Sequence, residues 1–213
     1  VIKARFDDAK FYYSEDTAKP LSDRIESLKS VTFHDRIGSL HQKTERIVSL
    51  SGFIADRCYP KSKDRAVWAA WLSKADLITG VVREFPELQG IMGKYYAEHD
   101  REDGITASAL EEQYLPKSFG DNIPDSDVGA GLSLSDKIDS VSSFFSIGLI
   151  PTGSEDPFAL RRQAMAIISI ILEKGYDLSL RELFTHALLN LERIKPRKDT
   201  MDNIISFMGQ RLE

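Results

Sequence analysis

The stretch DRAVWAAWLSKADLITGVVREF, Asp64 to Phe85, says most about how this chain must fold. Its alanines, tryptophans, leucines and valines are spread round much of a helical surface instead of lying in one stripe. A helix that is apolar on most sides must be enclosed by others. The expectation is therefore a central, buried helix in a bundle, interrupted by one carboxylate, Asp76. If buried, that carboxylate needs a partner, and Lys137 or a backbone N–H would serve.

Outward from this stretch the periodicity stays helical. RFDDAKFYYSEDTAK carries Ala9, Tyr12 and Tyr13 at helical spacing and stops before Pro20, and PLSDRIESLKS places Leu21, Ile25 and Leu28 together. A helix from about Ser39 to Cys58 buries Leu40, Ile47, Leu50, Phe53 and Ile54 until Tyr59-Pro60 ends it. ELQGIMGKYYAEHD and ITASALEEQYL are two more helices, and Gly90 and Gly93 at helical spacing thin one face for close packing. PKSFGDNIPDSDVGAG, with two prolines and three glycines, is read as a long irregular loop. Helices resume through LSLSDKIDSVSSFF, PFALRRQAMAIISIILEKG, SLRELFTHALLNLERI and TMDNIISFMGQRLE. No alternating strand pair is convincing, with Val1 to Arg5 the one strand candidate. The fold class expected is all-α.

The bulk numbers fit this. A chain of 213 residues, 42% hydrophobic and 29% charged, can bury a sizeable core. No run approaches the roughly 20 apolar residues that cross a bilayer. The opening VIKARFDD lacks the order of a signal peptide, so the expected compartment is the cytosol, or an organelle matrix after loss of a transit sequence. Val1 is not an initiator methionine, and the first residues read as a chain already in progress. The single cysteine, Cys58, excludes an internal disulfide and is read as an inert thiol. A net charge of -5 means that contact with nucleic acid must come from local patches. No phosphate-binding glycine loop of either common pattern occurs, and a folded monomer is the default because nothing reads as a coiled-coil seam.

IPTGSEDPFALRR, Ile150 to Arg162, leaves two readings open. In one, Thr152 to Asp156 form a turn, Asp156 caps a helix with Pro157 at its first position, and Gly175 closes it. In the other, Arg161 and Arg162 hold an external phosphate, because cations in the first turns of a helix oppose its dipole unless anions face them.

IPTGSEDPFALRR, REFPELQGIMGKYYAEHD (83–100), EEQYLPKSFGDNIP (111–124) and LSLSDKIDS (132–140) together resemble the beta subunits of bacterial-type heterotetrameric glycyl-tRNA synthetases. DDAKFYYSED near the start and ISFMGQRLE at the end extend the likeness to the full length. The resemblance implies a part in joining glycine to its tRNA with ATP and magnesium. In the family that this chain resembles, the alpha subunit holds the aminoacylation site, and the beta chain chiefly recognises and positions tRNA. It further implies an internal HD-type domain, with residues 1–30 as a helical lead-in, 31–175 as the HD-like domain and 176–213 as helices leading to the next domain. An HD phosphohydrolase holds its metal with a histidine, a His-Asp pair and a later Asp. Mapped here these become His41, Ala75-Asp76 and Asp136, so one imidazole is missing and no metal, catalytic residue or cofactor is expected in this chain. His34, His99 and His186 are read as structural or solvent-facing.

A tRNA acceptor arm presents phosphates and 2′-hydroxyls in a shallow groove, and unpaired bases at its end. Arg161 and Arg162 suit the phosphates. Lys117 with Phe119 offers a cation and a stacking ring, and Arg83, Lys94 and Tyr95 form a further candidate patch. RIKPRK, Arg193 to Lys198, is a hinge or an RNA-facing linker. The function expected is docking of the glycine-tRNA acceptor arm and scaffolding of the alpha subunit and remaining beta-chain domains, away from any membrane. The alternatives are a residual metal phosphohydrolase using His41, Asp76 and Asp136, or a purely structural spacer.

Overall fold

The computed structural model describes residues 2–118 and 120–211. The fold is all-α, with one small hairpin. Helix α1, Ile2–Asp16, covers Ile2 to Arg5 of the stretch considered for a strand, and Val1 lies outside the described residues. Residues Leu21–Ser30 then form tight 3₁₀ turns that still bury Leu21, Ile25 and Leu28. Strands β1, Thr32–His34, and β2, Gly38–Ser39, pair antiparallel, a hairpin too short for alternation to reveal. It leads straight into α2, Leu40–Cys58, whose start is fixed by a capping box. Gln42 N–H donates to the Ser39 hydroxyl while the Gln42 side chain accepts from Ser39 N–H.

The stretch from Asp64 to Phe85 is not one helix. Helix α3, Lys63–Leu72, is followed by a 3₁₀ turn, Ala75–Ile78, and a short α4, Gly80–Glu84. The break has a polar cause: Ser73, Lys74, Asp76 and Thr79 are all buried, and two of them, Lys74 and Asp76, spend their side chains on groups outside this stretch, Asp136 and Gln113 for the first and Gly90 N–H for the second. Thr79 Oγ1 donates to the Asp76 carbonyl at 2.6 Å and accepts the Val82 N–H, so that it caps α4.

Helices α5, Ile91–His99, and α6, Gly104–Glu112, pack together beside this turn. Gly90 is not inside α5 but precedes it, at φ +79°. A Cβ there would lie 2.5 Å from the Tyr114 ring. The central place in the bundle belongs to α7, Asp127–Ser146, in which nearly every residue is buried. It contacts α2, α3, α6, α8 (Leu160–Lys174), α9 (Leu180–Leu189) and α10 (Thr200–Gly209). DVGAG, assigned from sequence to the loop, is thus the first turn of the core helix. Small residues make this possible: a Cβ on Gly131 would overlap the Tyr59 hydroxyl. Serine hydroxyls return bonds to the carbonyls four residues back, Ser135 to Gly131 and Ser146 to Ser142 at 2.7 Å each, which removes the cost of burying them.

Helix α8 begins at Leu160, three residues later than the Asp156-Pro157 pair suggests, because Ala159 adopts φ +52° and interrupts the chain there. Asp156 caps it all the same, accepting Leu160 N–H at 2.7 Å and Arg161 N–H at 2.9 Å. Gly175 ends the helix at φ +63°. At the other end of the chain, the buried Asp16 carboxylate accepts Gly80 N–H at 2.8 Å, Val81 N–H at 3.0 Å and Tyr96 Oη–H at 2.7 Å, pinning α1 to the head of α4. No helix among the described residues is long and apolar enough to cross a membrane.

Candidate nucleic-acid interface

Helices α2 and α7 meet through charge. Lys43 and Arg46 stand three residues apart on α2, and Asp136 and Asp139 stand three apart on α7, so each pair shares a helix face. Lys43 Nζ lies 2.9 Å from Asp136 Oδ1 and 3.0 Å from Asp139 Oδ2. Arg46 binds Asp139 with two nitrogens, at 2.6 and 3.2 Å. Lys74, from the turn after α3, reaches Asp136 Oδ2 at 2.8 Å and Gln113 Oε1 at 2.7 Å. Burial alone would raise the Asp136 pKa, but the Lys43 and Lys74 ammoniums outweigh it and hold the carboxyl far below the usual range.

Lys137 lies next to this cluster without a carboxylate at ion-pair distance among the described residues. Its ammonium donates to the Gln113 and Leu115 carbonyls at 3.0 Å each and to Ser133 Oγ at 2.6 Å. Burial pushes its pKa down to about 8; attraction by Asp136 resists, and repulsion by Lys74, Lys43 and Arg162 assists.

Of these groups, Lys43, Lys74, Gln113, Asp136 and Lys137 face one cleft of about 610 Å³, whose lining does not include Arg46 and Asp139. Its floor and walls carry Lys43, Lys74, Lys137, Lys117 and Arg162, against the acids Asp136 and Glu87, with the rings of Phe33, Tyr114 and Phe158 at its sides. Five cations to two acids is an excess of three positive charges in a chain whose net charge is -5. A concave, low-dielectric wall focuses such a field on an anion. A neighbouring hollow bounded by Lys29, His34, Asp35, His41, Glu45 and Arg193 carries both signs and has no comparable bias.

The sequence candidates are distributed unequally around this cleft. Arg162 and Lys117 line it, both exposed and both without an ion-pair partner among the described residues. Arg161, its neighbour, turns away and donates to the Gly153 carbonyl at 2.8 Å, so the adjacent arginines do not act as a pair. Lys94 is engaged by Glu111 at 2.9 Å, while Tyr95 and Arg83 are exposed outside the cleft lining. Phe119 lies outside the described residues. Lys43, Lys74, Lys137 and Tyr114 are cleft residues that the sequence did not mark for binding. Lys43 had a visible signal, because it interrupts the apolar stripe Leu40, Ile47, Leu50, Ile54 of α2. Lys74 and Tyr114 had none, since their places depend on how α3 and α6 end.

The residues mapped to an HD metal site are not assembled as one. His41 sits edge-on to Trp71 with its ring nitrogens 3.7 Å from Glu26 and 3.4 Å from Glu45. Asp76 accepts Gly90 N–H at 2.6 Å, the backbone donor it required, and burial pushes its pKa up to about 6. Lys137, the other partner considered, is committed elsewhere. Asp136 is neutralised by two ammoniums, which supply the positive charge a metal would bring. Among the described residues no group of three or more His, Cys, Asp or Glu side chains is placed to hold a metal. The mapped residues do not form the donor set with which an HD phosphohydrolase holds its metal.

The likeness to known proteins covers the whole chain. The family model described as glycyl-tRNA synthetase beta subunit matches residues 1–213. A glycine–tRNA ligase beta subunit of Geotalea uraniireducens is 48% identical over 99% of this chain, and one of Trichlorobacter lovleyi is 45% identical over 99%. A third, of Thermodesulfovibrio yellowstonii, is 50% identical over 85%. The chain spans 31% of the length of the first two relatives and 27% of the third. A match of this extent and identity, over a helical bundle built round α7, shows that the chain belongs to the glycyl-tRNA synthetase beta subunit family.

Proposed function

We propose that this chain serves ATP-dependent glycine–tRNA ligation in the cytoplasm by holding the acceptor arm of the glycine tRNA against the basic cleft, and by scaffolding the alpha subunit and other beta-chain segments around it. The single observation that carries the reading is the excess of cations in one concavity of an acidic chain. Arg162 and Lys117 offer donors not committed to other groups at its mouth, where a phosphate backbone can approach. The Tyr114 and Phe158 rings offer faces to an unpaired base. The role is one of orientation, and glycine activation with ATP and magnesium falls to the alpha subunit.

Binding of the chain to a glycine-tRNA acceptor hairpin across a salt series tests this. The expected result is an affinity that falls steeply with salt. Changing Arg162 and Lys117 to glutamate should make the salt slope shallower by about one for each phosphate that is no longer neutralised. Arg161→Glu should have the smaller effect. Equal binding by the wild type and the doubly reversed variant would favour the spacer alternative.

A further inference from the structure

The dimensions and charge of the cleft specify which part of an acceptor arm enters it. A concavity of about 610 Å³ has the size of a small-ligand pocket. It takes the end of a strand and not the side of a duplex, whose phosphates are spread along a wide surface. An acceptor stem has two ends that differ in chemistry. The 3′ end is a run of unpaired nucleotides finishing in a neutral hydroxyl, and it must stay free to reach a site where glycine is attached. The 5′ end is a phosphate monoester, carrying close to two charges and three terminal oxygens.

The donors left over in the cleft match the second. Lys74 spends two of its three N–H bonds on Asp136 and Gln113 and lies 5.1 Å from the Tyr114 ring centre. The guanidinium of Arg162 has no bonded partner among the described residues. Behind them Lys137 keeps a buried positive charge whose bonds all go to neutral oxygens. Buried charge is ordinarily balanced, and here the nearest acid, Asp136, is already paired with Lys43 and Lys74, so that no described carboxylate bonds the Lys137 ammonium. We infer that the cleft between Lys74, Lys137 and Arg162 is the seat of the 5′-terminal phosphate of the acceptor stem, which would fix the stem's end while leaving the 3′ strand free. The inference rests on the acceptor-arm reading above.

Three hairpins of one sequence test it, bearing a 5′-hydroxyl, a 5′-phosphate or a 3′-phosphate and titrated against the 213-residue chain at fixed salt. The 5′-phosphate form should bind about tenfold tighter or more, as expected for new charge-assisted bonds, and the 3′-phosphate form should gain little. In Arg162→Gln, at an exposed position, the ratio of the 5′-phosphate to the 5′-hydroxyl affinity should fall toward one. Equal affinities for the 5′-hydroxyl and 5′-phosphate hairpins, or equal gains from either phosphate, overturn the inference and leave the acceptor-arm reading standing. If no hairpin binds, both fail.

Discussion

Among single residues, two aspartates of the same bundle stand in opposite electrostatic states. Asp136 is held ionised by Lys43 and Lys74, so removing its charge leaves the buried Lys74 ammonium without a carboxylate and Lys43 sharing Asp139 with Arg46. Asp136→Asn should lower unfolding free energy by about 3–5 kcal/mol in urea denaturation. Asp76 is held toward its neutral form by burial, with a folded pKa of about 6 against an ordinary 3.8. A raised carboxyl pKa means that the folded state holds the proton more tightly than the unfolded one. The stability this group allows is therefore greatest below pH 3.8 and declines as pH rises through 6. Asp76→Asn keeps an acceptor for Gly90 N–H and abolishes the titration. The variant should match the wild type near pH 4 and exceed it by an amount on the order of 2 kcal/mol at pH 8. A gap that does not widen between those two pH values would refute this account of Asp76.

Among the elements, α7 owes its central position to what its residues lack. Gly131→Ala would drive a methyl into the Tyr59 hydroxyl, and the cost should be about 1–3 kcal/mol in thermal or urea unfolding. Gly104→Ala, at a position with nothing within 4 Å, is the control and should be neutral or slightly stabilising. The same helix marks the limit of what could be read from the chain. Apolar periodicity located α2, α5, α6 and α8 to α10, because each turns one greasy face inward. It misplaced the centre, choosing Asp64 to Phe85 for its tryptophans and valines over a run of glycine and serine. Hydropathy ranks serine as a surface residue, yet a serine bonded to its own helix is content in a core. The turn at Ser73 to Thr79 was equally hidden, since only tertiary partners such as Gly90 and Gln113 draw those side chains off the helix. The cleft was half legible for the same reason: Arg162 and Lys117 are exposed and stand out in the sequence, whereas Lys43, Lys74 and Lys137 became neighbours through the packing of α2, α3 and α7.

As a whole molecule, the bundle is organised round an element from the middle of the chain. Residues before it, on α2, α3 and α6, and residues after it, on α8, α9 and α10, all pack on Asp127–Ser146. Phe145 meets Phe207 at 5.0 Å between ring centres, while Arg46 and Lys43 close on Asp139 from the other side. A polypeptide ending at Pro124 would contain α1 to α6 and could still pair α2 with α3 and α5 with α6, but it would lack the helix on which α2, α3 and α6 bury their remaining apolar surface, and it should remain protease-sensitive with little fixed near-ultraviolet circular dichroism. During synthesis, the amino-terminal half must therefore wait in the exit path with its apolar stripes open until Ser146 has emerged. The period before that arrival is when a chaperone would find this chain most attractive.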